Sequence, residues 1–116
     1  LEEKINISTV IKNIARDFSV NTGIQLSHIH TTWEFYKSGY YAKGEEVSEY
    51  QPKKKYPIIA DVLIPDFNES KIIEIMLESI ASSISKNLNF PKNNIFINIR
   101  VARSSMVFDD GQVVTW

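Results

Sequence analysis

Between residues 56 and 102 the spacing of apolar side chains changes twice, and this change limits the folds open to the chain. Residues 56–64 are apolar at both parities except for Asp61, the pattern of a strand covered on both faces. Pro65 and Asp66 end it. Ser70–Leu88 then carries Ile73, Met76, Leu77, Ile80, Ile84 and Leu88 along one stripe, which predicts an amphipathic helix. Asn68 is placed to cap this helix, and Glu69 suits the positive end of its dipole. Ile95–Ala102 returns to a period of two and predicts another strand. Strand, helix and strand in that order make a β-α-β unit.

The upstream half reads as the same unit without its first strand. Ile7, Val10, Ile11, Ile14, Ala15 and Phe18 recur at helical spacing, predicting a helix over residues 8–22 with Asn6 or Ser8 as cap and Gly23 as stop. Residues 26–36, rich in Ile, Thr, Trp and other aromatics, predict a strand. Residues 37–55 hold two glycines, three tyrosines and the KGEE and KKK runs, and read as a long polar loop. Tyr36, Tyr40 and Tyr41 stand where a lid would, and Lys53-Lys54-Lys55 where a solvated charge run would. Asp110-Gly111 signals a hairpin before the tail 112–116. The chain begins at Leu1 rather than Met, so the first strand is expected upstream or is missing. One domain over residues 1–116 is expected, of class α+β. It has two helices packed on one face of a mixed four-stranded sheet, with a short C-terminal hairpin.

Composition narrows the function. At 116 residues the chain supports a single modest core, and its net charge of −1 provides no basic field for nucleic acid or an anionic membrane. No apolar run approaches the ~18 residues of a membrane span, and no signal-peptide pattern opens the chain. The absence of cysteine excludes disulfides, thiol catalysis and Cys-type zinc sites. The cytoplasm is the default compartment. No cofactor is expected. A metal is not expected either: His28, His30 and Glu34 share a face, but two histidines make a weak site.

Strand parity then selects the candidates. Ile95, Ile97, Ile99 and Val101 share one face of the last strand, toward the helices, whereas Phe96, Asn98 and Arg100 share the other. On residues 26–36 the apolar set is Ile29, Thr31, Trp33 and Phe35, with Leu26, His28, His30, Thr32, Glu34 and Tyr36 opposite. A face of mixed aromatic and polar residues suits a subunit interface or a ligand pocket. Arg100 and Arg103 either bind a carboxylate through their fork of donors or form salt bridges between subunits. Asn98 needs partners for its amide if buried.

The stretch FPKNNIFINI, residues 90–99, resembles the tautomerase superfamily that includes oxalocrotonate tautomerase and macrophage migration inhibitory factor. The ending VARSSMVFDDGQVV, residues 101–114, resembles a bacterial tautomerase-like branch. The resemblance runs from about Asn21 to Val114 and is most specific in the last third. It implies two β-α-β units, a homotrimer, and active-site positions at Phe96 and Asn98, with His28 near the family's His or Tyr position. Arg103 would then reach into a pocket framed by Phe96, Asn98 and Phe108, and Arg100 would border it. It also implies keto-enol isomerisation of a small enolisable carboxylate such as phenylpyruvate or a hydroxymuconate, with an amino-terminal proline as base. Pro52, Pro57, Pro65 and Pro91 are all internal, and Ile24 stands where some relatives place lysine, so the catalytic residue is unassigned. A non-catalytic trimeric binder of the same ligands is the alternative. A ferredoxin-like RNA-binding module shares the element order but needs several strand aromatics in a basic field, whereas this chain offers Phe96 and Tyr36.

Overall fold

The computed structural model describes residues 5–37, 39–47 and 57–116. Helix α1 spans Ile7–Thr22. Asn6 caps it, its side-chain oxygen accepting from the Thr9 amide at 3.2 Å, and Gly23 closes it in the left-handed conformation, with φ 78°. A single 3-10 turn, Leu26–His28, follows. Strands β1 (Ala42–Lys43) and β2 (Glu46–Val47) form a small antiparallel ladder within the long polar loop. Lys53-Lys54-Lys55 and Tyr56 lie outside the described residues.

Strand β3 (Ile58–Pro65), helix α2 (Ser70–Leu88) and strand β4 (Ile95–Ala102) realise the β-α-β unit. β3 and β4 pair in parallel with Ile58 opposite Ile95 and Pro65 opposite Ala102. Asn68 is not the cap of α2. The helix starts one residue later than that requires, with Glu69 at the cap position and no side-chain bond there. The Asn68 amide instead donates to the Pro65 carbonyl at 2.9 Å, closing the turn between strand and helix. Strands β5 (Val107–Asp109) and β6 (Gln112–Val114) form the C-terminal hairpin. Asp110 and Gly111, at φ 50° and 78°, supply the two left-handed residues of its tight turn.

The core lies between the helices and one face of the strand pair. Val10, Ile14 and Phe18 of α1 meet Met76, Ile80, Ile84 and Leu88 of α2 over Ile58 and Ile64 of β3. Ala60, Val62, Ile95, Ile97 and Ile99 pack against this cluster, while Phe96, Asn98 and Arg100 turn away from it, as parity predicts. The alternation lapses at Val101, which is 56% exposed rather than facing the helices.

Residues 26–36 depart furthest from expectation. The first three form the 3-10 turn, and residues 29–37 join no ladder among the described residues. Ile29, Thr31 and Trp33 are nevertheless half-buried and His30, Thr32 and Glu34 exposed, the two-residue period of an extended chain. Strand composition alone is insufficient, because a strand also needs a neighbour to pair with.

A polar seam joins the helices. Asn13 donates to Asn87 at 3.0 Å, Ser83 donates to Asp17 at 2.6 Å, and Asn21 donates to Ser79 at 2.9 Å. The Ser83 hydroxyl holds the Asp17 carboxyl below its ordinary value of 3.8; desolvation opposes this, and Lys86 at 3.2 Å adds to it. A lowered folded-state pKa means stabilisation that is present above pH 3.8 and lost as pH falls through the lowered value. Asp17→Ala removes a hydrogen bond to a charged group and is expected to cost about 1.5–3 kcal/mol at pH 7. Urea titrations at pH 7 and pH 3 should show this difference shrinking at the lower pH.

Candidate functional site

The helix-free face is organised around one ion pair. The parallel register sets Ile59 opposite Phe96, Asp61 opposite Asn98 and Leu63 opposite Arg100. Arg100 reaches diagonally back to Asp61, its Nε donating to both carboxylate oxygens at 3.0 Å and its terminal nitrogen lying 2.9 Å from Oδ2. These bonds lower the Asp61 pKa, with a smaller contribution from the Asn98 amide, and raise that of Arg100. Ile59, Leu63 and Phe96 surround the pair and stay 46%, 56% and 60% exposed.

Phe96, Asn98 and Arg100 thus stand together on one face of β4, as their spacing requires. Asp61 was not among the sequence candidates. Its signal was visible as the one charge in an otherwise apolar strand, but its partner depends on the register between two strands.

A second cluster sits past the carboxyl ends of β3 and β4. The Asp66 amide donates to the Ala102 carbonyl at 2.9 Å, which carries the pairing one step beyond the strands. Trp116 then ties the hairpin down: its indole N–H donates to Asp66 at 2.9 Å, its amide donates to Ser104 at 2.8 Å, and its ring meets Phe67 edge-on. Neither Asp66 nor Trp116 was a sequence candidate, and nothing local in the sequence links them across 50 residues.

Arg103 lies beside this cluster in the chain, exposed, its carbonyl accepting from the Met106 amide at 3.0 Å. Its guanidinium has no hydrogen-bond or ion-pair partner among the described residues. Phe108 is exposed on β5. His28, on the 3-10 turn after α1, is exposed and is joined to the β4 residues by no hydrogen bond.

Elsewhere, a groove of about 430 Å³ runs between the helices, lined by Asn21, Glu74, Ile75, Glu78, Ser79 and Ser82. Two glutamates and no cation make it unsuited to a carboxylate. Among the described residues no group of three or more His, Asp or Glu can hold a metal ion, and no helix is long and apolar enough to cross a membrane.

No family model and no curated protein matches the chain. Solved structures do. A native fused 4-OT superposes with a TM-score of 0.79 at 8% identity, over 97% of this chain and 88% of that one. N1, a member of the cis-3-chloroacrylic acid dehalogenase family, gives 0.77 at 10%, over 97% and 75%. The R7 fused 4-OT, an asymmetric trimer, gives 0.76 at 10%, over 92% and 83%. These relatives are tautomerase superfamily members, and what the chain shares with them at such identities is the fold. The protein is an α+β domain with the tautomerase-like fold.

Proposed function

We propose that the protein is a homotrimeric tautomerase-like protein that binds a small enolisable carboxylate beside the carboxyl end of β4 and isomerises it between keto and enol forms. The observation that carries this reading is the contrast between the two arginines. Arg100 is already paired with Asp61, which supports a role for it in holding the face together, whereas Arg103 has no partner among the described residues. An unpaired guanidinium presents two parallel donors that match a carboxylate. Asn98, Phe96 and Phe108 are the companions proposed for the rest of the pocket, and His28 for its rim. The apolar surround of the ion pair supports assembly through the helix-free face, and a structural relative is a trimer. In such an assembly the β4 residues border sites at subunit boundaries.

Phenylpyruvate is the probe. Arg103→Ala is expected to weaken its binding by about ten- to a hundredfold, since a hydrogen bond to a charged ligand contributes about 1.5–3 kcal/mol. Calorimetry reads the binding, and enol absorbance the turnover. Melting temperature and mass should not change. Arg100→Ala, by contrast, is expected to dissociate the oligomer. Unchanged phenylpyruvate binding in Arg103→Ala, together with unfolding or dissociation, would make Arg103 a structural arginine and sink the reading. Binding without turnover favours the non-catalytic trimeric binder.

A further inference from the structure

Arg103 stands where the end of β4, the C-terminal hairpin and the turn between β3 and α2 are tied together. On its amino side the Ala102 carbonyl accepts from the Asp66 amide at 2.9 Å. On its carboxyl side the Ser104 hydroxyl accepts from the Trp116 amide at 2.8 Å. The Arg103 carbonyl itself accepts from Met106 at 3.0 Å, and the Ser105 amide donates to the Val114 carbonyl at 2.9 Å. Both flanks of the arginine and the turn that follows it are therefore bonded. Its guanidinium alone has no hydrogen-bond or ion-pair partner among the described residues.

Asp66 and Trp116 close this arrangement. Asp66 holds Ala102 with its backbone and the Trp116 indole with its carboxylate, each at 2.9 Å. The Trp116 ring also meets Phe67 edge-on, with centroids 6.1 Å apart. A ring of bonds through Ala102, Asp66, Trp116 and Ser104 thus encloses Arg103. Ser105 indicates that the turn is imposed by this ring: its φ of 68° is left-handed, a conformation uncommon for serine and kept where surrounding contacts fix it. Trp116 stays 42% exposed and outside the buried core cluster, so its bonds fix the turn rather than the core.

We propose that Asp66 and Trp116 are positioning residues for Arg103. Their clasp fixes the backbone from which the guanidinium reaches, so a carboxylate ligand meets a donor fork already in place. Ordering a mobile loop on binding would subtract from the affinity, and the clasp removes that cost. This inference rests on the carboxylate reading of Arg103.

Three variants test it. Trp116→Phe keeps a ring against Phe67 and removes the indole donor, Asp66→Ala removes the acceptor, and Asp66→Asn keeps an acceptor oxygen. Amide exchange at Ser105 and Met106 in the free protein should quicken by about threefold or more in the first two and stay at the parent rate in Asp66→Asn. Calorimetry with phenylpyruvate should show affinity lower by about two- to tenfold in the first two and unchanged in Asp66→Asn. In an Arg103→Ala background, Trp116→Phe should weaken phenylpyruvate binding no further, an outcome that general loosening of the fold would not give. Unchanged exchange at Ser105 and Met106 overturns the proposal, because the turn then holds without the clasp. Quickened exchange with parental affinity overturns it too, as does a loss of affinity that persists when residue 103 is already alanine. Phenylpyruvate binding that Arg103→Ala itself leaves unchanged removes the carboxylate reading, and this inference with it, whatever the exchange rates.

Discussion

If the protein is the homotrimer proposed above, Phe96→Glu is expected to leave it monomeric at concentrations where the parent chain associates. Phe96 is 60% exposed on the helix-free face, opposite Ile59 and near Leu63, with the neutralised Asp61–Arg100 pair beside it. On the β4 face that carries residue 96, the cation within reach, Arg100, is already engaged by Asp61. Burying an unpaired carboxylate costs several kcal/mol, and each 1.4 kcal/mol is about tenfold in an equilibrium constant, so half-assembly should move by at least about a hundredfold in concentration. Light scattering across a dilution series measures this, and circular dichroism checks that the monomer stays folded. Leu63→Glu, across the strand pair, should behave in the same way. A parent chain that is monomeric at micromolar concentration would remove the assembly from the proposed function altogether.

The largest loss of stability is expected from Met76→Ala. Met76 is 0% exposed, at the point where α2 meets α1 and the inner face of β3. Truncating a buried Met to Ala removes transfer free energy and leaves a cavity, together costing about 2–5 kcal/mol. A domain this size has a total stability of about 5–15 kcal/mol, so the variant should sit near the edge of folding. Urea denaturation should show a lower midpoint with an unchanged slope. Ile80→Val, at a neighbouring core position, removes one methylene and should cost only about 0.5–1.5 kcal/mol. Similar losses in the two variants would mean that Met76 does not sit in a close-packed junction between the helices.

The helices were the most legible part of the sequence, because their evidence is local. A stripe repeating every 3.6 residues placed α1 within a residue of its start and α2 at both ends, although the cap expected for α2, Asn68, closes the preceding turn instead. β4 was legible for the same reason, and its parity placed Phe96, Asn98 and Arg100 together. Contacts set by distant residues were not. Residues 29–37 have strand composition, but whether they pair depends on a neighbour that the segment itself does not encode. Asp61 looked like an isolated charge until the register of β3 against β4 set it within reach of Arg100. The Trp116–Asp66 bond depends on the hairpin folding back over the β3–α2 turn. The polar seam had a readable sign, since Asn13, Asp17 and Asn21 recur every four residues, as do Ser79, Ser83 and Asn87. That sign was overshadowed by the stronger apolar stripes.

The seam works as a length gauge between the two halves of the chain. Four residues forward on α1, from Asn13 to Asp17 to Asn21, are met each time by four residues back on α2, from Asn87 to Ser83 to Ser79. A slip of one helical turn, about 5.4 Å, could still match Asp17 with Asn87 and Asn21 with Ser83. The ends of the row would then be stranded, and Ser79 is buried, so leaving it unmatched costs about 1–3 kcal/mol. Apolar contacts alone grade such a slip weakly, because one aliphatic side chain substitutes tolerably for another. Three polar rungs penalise it at both ends. An α1 donated by another copy of the chain would meet the same penalty at any other offset, so exchange of this helix between copies would favour the native pairing.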